Sequence, residues 1–275
     1  MDRGEQLVNV LRRKFSVLNS RARLRNLAPT IVILILFSHA AWAGFDLHIG
    51  AATRSYPLSG VVQAESGYGI LLRGTAHSPF SSYLRLKIDG ASAGTYNSLG
   101  AAFEFFPLAI LGLRAGGEAI QNDNEYTAYD CAAHQCLGRN YRTYIEGELT
   151  LGAGPVFVQG RWRRERWSQK DPLQGDFIDP TSGVVLKSEG DSQTVYYGVA
   201  GIKFGPKWSV LGVVRYAESD LLKGWSRLPY GVLMFKEGTF SAGVGAGVFA
   251  SSLKDKDFSA LGFLRWEIAP SLAVR

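Results

Sequence analysis

The chain has 275 residues, 46% of them hydrophobic, with 30 Lys and Arg against 24 Asp and Glu. Seven of the cations but only two of the acids fall in the first 43 residues, which leaves 23 against 22 beyond them and excludes a nucleic-acid partner that needs a surviving basic face. Past residue 43 no apolar run approaches the ~20 residues of a membrane-spanning helix, so the remainder is either a soluble β protein or a closed barrel.

The first element is a leader. Arg12, Arg13, Lys14, Arg21, Arg23 and Arg25 precede the apolar run Ile31 to Phe37, and Ala41-Trp42-Ala43 follows it. A basic region, a short apolar stretch and an Ala-x-Ala exit predict a signal peptide over 1–43, cleaved after Ala43, with one β domain over 44–275.

Period-two alternation then predicts twelve strands (ten to fourteen are compatible) near 45–54, 60–74, 82–90, 96–106, 109–120, 140–152, 155–167, 193–204, 208–217, 227–236, 239–251 and 258–269. Short connections are expected at 75–81, Pro107-Leu108, Ala153-Gly154, 205–207 and Glu237-Gly238, and longer polar ones at 121–139, 168–192, 218–226 and 252–257. Short turns at one end and long loops at the other, on strands of ~9–11 residues, suit a closed antiparallel barrel that crosses a bilayer. Trp162, Trp208, Trp225 and Trp266 fall near strand ends on the apolar face, where rings would mark the membrane interfaces.

The alternation separates two faces. Leu84, Leu86 and Ile88 oppose Arg85, Lys87 and Asp89, and Ile145, Leu149 and Leu151 oppose Arg142, Glu146 and Glu148. If the apolar face meets lipid, the lumen is lined by Arg85, Lys87, Glu104, Arg114, Glu118, Arg142, Glu146, Glu148, Arg161, Arg163, Glu165, Arg215 and Arg265. A turn at Ala153-Gly154 would set Glu146 opposite Arg161, Arg142 opposite Glu165, Tyr144 opposite Arg163 and Glu148 opposite Gln159. Glu104 would face Arg114 in the hairpin before it. Such charges either interlock and fill a narrow lumen or line a water-filled passage.

Cys131 and Cys136 lie in one outer loop of an exported chain, which predicts a disulfide. With His134 they fall short of the four ligands of a zinc site, and no metal or cofactor is expected. His48 faces the lumen near Asp46 and Glu65, but no Gly-x-Ser-x-Gly elbow accompanies it. No catalytic residue is assigned, and a lipid-modifying barrel hydrolase stands as the remote alternative. Segment 169–193, with Pro172, Gly175, Pro180 and Gly183, reads as a mobile loop, and its Val184-Val185-Leu186 as a small extra strand or an apolar tip.

The leader, the strand spacing, the loop asymmetry and the closing strand with Leu264, Trp266 and Ile268 outward together resemble the bacterial outer-membrane β-barrel superfamily. The resemblance spans residues 44–275 and departs from the usual pattern in the tail Ala269 to Arg275, which follows the last strand. It implies an outer-membrane location, a monomer, and contact with membrane lipid, lipopolysaccharide and the barrel assembly machinery. The resulting expectation is a narrow or gated passage for small solutes. The alternative is a non-conducting barrel whose outer loops, 121–139 and 168–193, bind a partner.

Overall fold

The computed structural model describes residues 43–56, 59–75, 78–94, 96–125, 129–170 and 175–269. Nearly all of the expected leader, His77 and the tail beyond Ala269 lie outside the described residues. Fourteen strands occur among them: β1 (Ala43–Arg54), β2 (Ser59–Arg73), β3 (Ser82–Ser92), β4 (Tyr96–Leu108), β5 (Leu111–Asn122), β6 (Gly138–Ala153), β7 (Val156–Gln169), β8 (Asp176–Ile178), β9 (Val185–Lys187), β10 (Asp191–Phe204), β11 (Trp208–Ser219), β12 (Trp225–Glu237), β13 (Phe240–Ser251) and β14 (Lys254–Ala269).

Twelve of these pair antiparallel with their sequence neighbours, β7 with β10, and β14 closes on β1. The result is a closed barrel in which no strand edge is left to template aggregation. The remaining two, β8 and β9, pair with each other as a small ribbon in the β7–β10 connection. Alternation places the branched and aromatic residues outside: Leu86, Val244, Phe258 and Trp266 are each at least 60% exposed. Leaving such a surface in water would expose a continuous apolar belt, so this face requires lipid.

Four expected connections are corrected. The β12–β13 turn is Gly238-Thr239, not Glu237-Gly238, because Gly238 takes φ 57° as the first central residue and Glu237 pairs with Phe240. The β4–β5 turn is Ala109-Ile110, not Pro107-Leu108, because β4 continues through a register irregularity between Phe105 and Leu108. Pro107, with no N–H to donate, sits in that break. The expected loop 252–257 shrinks to Ser252-Leu253, since a bulge between Phe249 and Ser251 lets Lys254 join the ladder. The β6–β7 turn is Gly154-Pro155, with Gly154 at φ 58° as its first central residue. Ala153 then pairs with Val156, and the hairpin register moves by two: Glu146 faces Arg163, Glu148 faces Arg161, Tyr144 faces Glu165 and Arg142 faces Trp167. An even shift leaves every side chain on its predicted face.

The two long connections leave the same end of the barrel, and their described parts, 129–137 and 175–190, pack together there. Gln135 bridges to Phe177 beside the ribbon, with its N–H donated to the Asp176 carbonyl at 2.8 Å. The mobile loop expected at 169–193 is therefore, over its described part, an ordered insert.

Candidate functional site

The barrel interior divides into two walls. Strands β1 to β7 build the first from ion pairs. Arg85 spans three strands: its guanidinium donates to Asp46 (Nε–Oδ2 2.8 Å), Glu65 (Nη2–Oε1 2.8 Å) and Glu104 (Nη1–Oε2 2.8 Å). A Cβ at residue 67 would lie 2.2 Å from Arg85 Nε, so Gly67 is what lets the side chain cross its strand. Arg114 continues the chain to Glu104 (3.0 Å), Glu148 (2.6 Å) and Glu146. Glu146 also accepts from Arg163 at 2.5 Å, and Arg142 joins Glu118 to Glu165. Lys87 sits 3.0 Å from Asp89.

The four pairs predicted across the β6–β7 hairpin still meet, but along diagonals. Arg161 Nε lies 3.6 Å from Glu146, Arg142 Nη1 is 3.3 Å from Glu165, the Arg163 guanidinium stacks 4.3 Å from the Tyr144 ring centre, and Gln159 donates to Glu148 at 2.9 Å. Side chains as long as Arg and Glu reach the diagonal neighbour of a twisted pair. Of the predicted lining residues, Arg215 and Arg265 stand apart from this network. Arg215 Nη1 donates to the Thr181 carbonyl at 2.6 Å, and Arg265 lies 3.8 Å from Glu267.

The second wall, on β10 to β14, is apolar and was not anticipated. Leu211, Leu228, Tyr230, Val232 and Phe249 form one buried cluster, joined by Val199, Val213, Met234, Leu261 and Phe263. The signal was present in Val210 to Val214 and Leu228 to Met234, which are apolar on both faces. Runs of that kind mark strands covered on two sides. Here lipid covers one side and the packed half-lumen the other.

The ribbon packs on the inner wall at the end from which the long connections leave. Phe177, Val184 and Leu186 are buried against Ile120, Trp167, Val195 and Ala217 of the wall. Ile178 and Val185 pack on Cys136, Tyr129, Cys131 and Leu222. Cys131 and Cys136 are joined by a disulfide within the 123–137 connection, and Cys136 packs on Ile178 and Val185 of the ribbon. Burial holds the Tyr129 hydroxyl above its usual range. At the ribbon tip, Gln193 donates to Asp179 (3.3 Å) and Ser182 (3.2 Å). Beneath the tip a cavity of about 260 Å³ lies against the charged wall, reached by His48, Gln63, Lys87, Glu118, Tyr144 and Thr181.

His48, Asp46 and Glu65 bring one potential ligand atom each within 4.8 Å of one another. The Arg85 guanidinium already sits on both carboxylates, and its positive charge opposes a cation there. His48 Nε2 is 3.5 Å from Asp46 Oδ1, and neither ring nitrogen makes a hydrogen bond.

No family model and no curated protein matches the sequence. Among solved structures, the chain is similar to KdgM porin (10% identity, 80% of this chain and 98% of that one, TM-score 0.41). It is likewise similar to NanC porin (10%, 80% and 98%, 0.43) and to an outer membrane channel from Pseudomonas putida F1 (9%, 82% and 95%, 0.44). The likeness is architectural: in form the chain resembles the bacterial outer-membrane β-barrels.

Proposed function

We propose that this chain is a bacterial outer-membrane barrel forming a narrow solute passage that the 170–190 segment holds shut at its outer mouth. The observation that carries this reading is the placement of the segment's tip. Thr181 reaches down to the lumenal cavity, and the ribbon behind it packs on the wall at that end, which supports a closed mouth. The charged wall supplies the polar lining that water and small polar solutes need, and the apolar wall narrows the bore to one side.

Energetics decide how such a gate works. Withdrawing Phe177, Ile178, Val184 and Leu186 exposes four buried side chains at roughly 1.5–3 kcal/mol each, on the order of 6–12 kcal/mol in all. Thermal fluctuation does not supply that, so opening requires a ligand or partner that holds the segment elsewhere. Planar-bilayer recordings on intact protein and on a form lacking 176–188 test the reading, because a plugged passage opens only in the second.

A second reading draws on the cap itself. The packing of Cys136 on Ile178 and Val185 and the Gln135 bridge join 129–137 and 175–190 in one packed surface, which also suits a non-conducting barrel that presents this surface to a partner. Closure of both forms to ions would favour it.

A further inference from the structure

Charge is distributed unevenly on the lipid-facing wall. In the half nearer the short turns, the outward charges of the described strands stand only beside the turns: Arg73, opposite Ser82 at the end of β2, and Glu237, ion-paired with Lys207. In the half nearer the long connections, β1 to β5 again present none. On β6, β7, β11, β12 and β14 the outward positions carry Arg139, Arg164, Arg166, Glu218, Arg227 and Lys256, and Lys170 continues the β7 column just past the strand end.

Among the described residues most of these cations form no ion pair. Arg164 is matched by Asp220, whose carboxyl that guanidinium holds below its usual range. Arg139 reaches only the neutral Gln121 Oε1, at 3.1 Å. Arg166 and Lys170 make no side-chain ion pair among the described residues and are exposed. The Lys170 N–H donates to the Arg139 carbonyl, and Arg166 lies opposite Thr143 on the same strand pair, so three unmatched cations share one column of the rim. Tyr141, 39% exposed, stands between them. Glu218, outward on β11, already accepts from the Tyr216 hydroxyl.

We propose that Arg139, Arg166 and Lys170 form a docking surface for the phosphates of an anionic glycolipid in the outer leaflet, its acyl chains lying along the β6–β7 wall below. The inference rests on the membrane-spanning orientation given above. Cations at the headgroup level of one leaflet, over an uncharged apolar wall, complement an anionic lipid there, and guanidinium groups suit phosphate in particular.

The test uses the purified full barrel in neutral detergent and a bis-phosphorylated lipid A, compared with the same lipid dephosphorylated, with retained lipid counted by native mass spectrometry. The phosphorylated lipid is expected to be retained at least about tenfold better by intact protein. R139Q/R166Q/K170Q should lose that preference, while R139K/R166K keeps most of it and K236Q, near a short turn, keeps all of it. Equal retention of the two lipids, or unchanged preference in the triple variant, overturns the proposal. So does displacement of the lipid by an equal concentration of inorganic phosphate, which would assign the site to free anion. A protein that leaves the micelle and holds neither lipid would defeat the membrane orientation itself, a separate result from a micelle-bound barrel without phosphate preference.

Discussion

Arg215, on the inner face of β11, donates through Nη1 to the main-chain carbonyl of Thr181 at 2.6 Å. One end of this bond belongs to the wall and the other to the insert that crosses the lumen. It ties the ribbon tip to the barrel at the point where the outer core ends and the cavity begins.

Replacing Arg215 with Met removes that tie and keeps the stem volume. A hydrogen bond from a charged donor is worth ~1.5–3 kcal/mol, so R215M should loosen the tip without unfolding the barrel. Hydrogen exchange at 179–184 should rise several-fold while amides of β10 and β11 stay protected. Unchanged exchange at the tip would show that the apolar ribbon alone holds the insert.

Glu146 is the hub of the charged wall, in contact with Arg114, Arg161 and Arg163 and 3% exposed. Glu146→Gln removes the buried carboxylate that three guanidinium groups share and should cost up to about 3–5 kcal/mol. Glu237→Gln, which breaks an exposed pair with Lys207, should cost under ~1 kcal/mol. Denaturant unfolding of the two variants in the same detergent checks the contrast.

Removing the disulfide as C131S/C136S should act on the cap and not on the barrel. Closing so short a loop is worth about 2 kcal/mol in the chain-entropy account. Proteolysis within 129–137 should quicken, while the barrel's resistance to unfolding in detergent is unchanged. A barrel that unfolds earlier would mean that the cap supports the wall.

How legible this molecule is in its sequence depends on the range of the interaction concerned. Alternation is local, so the twelve wall strands and the lumenal face of residues such as Arg85 and Glu146 are readable directly. Register depends on which turn residue takes positive φ. Gly154 and its neighbours allow two choices, and the pairing of Glu146 moved by two places with the choice made. The apolar half of the lumen escaped notice because Leu211 and Val232 alternate with residues that are also apolar, so no period marks which side is inside. The ribbon's inward fold escaped because it depends on Phe177 and Leu186 meeting Trp167 and Ile120, contacts that no local pattern encodes. The rim cations Arg139 and Arg166 were visible as residues, but their grouping needed the β6–β7 register.

The central claim is that the 170–190 segment stops a passage that the barrel otherwise contains. Single-channel recording in planar bilayers, with the intact chain and the 176–188 deletion side by side, bears on it most directly. The intact chain should be silent or nearly so, and the deletion should open steady ohmic events while migrating on gels as a folded barrel. A folded deletion form that passes no ions, or an intact chain that conducts as well as the deletion, would contradict the account.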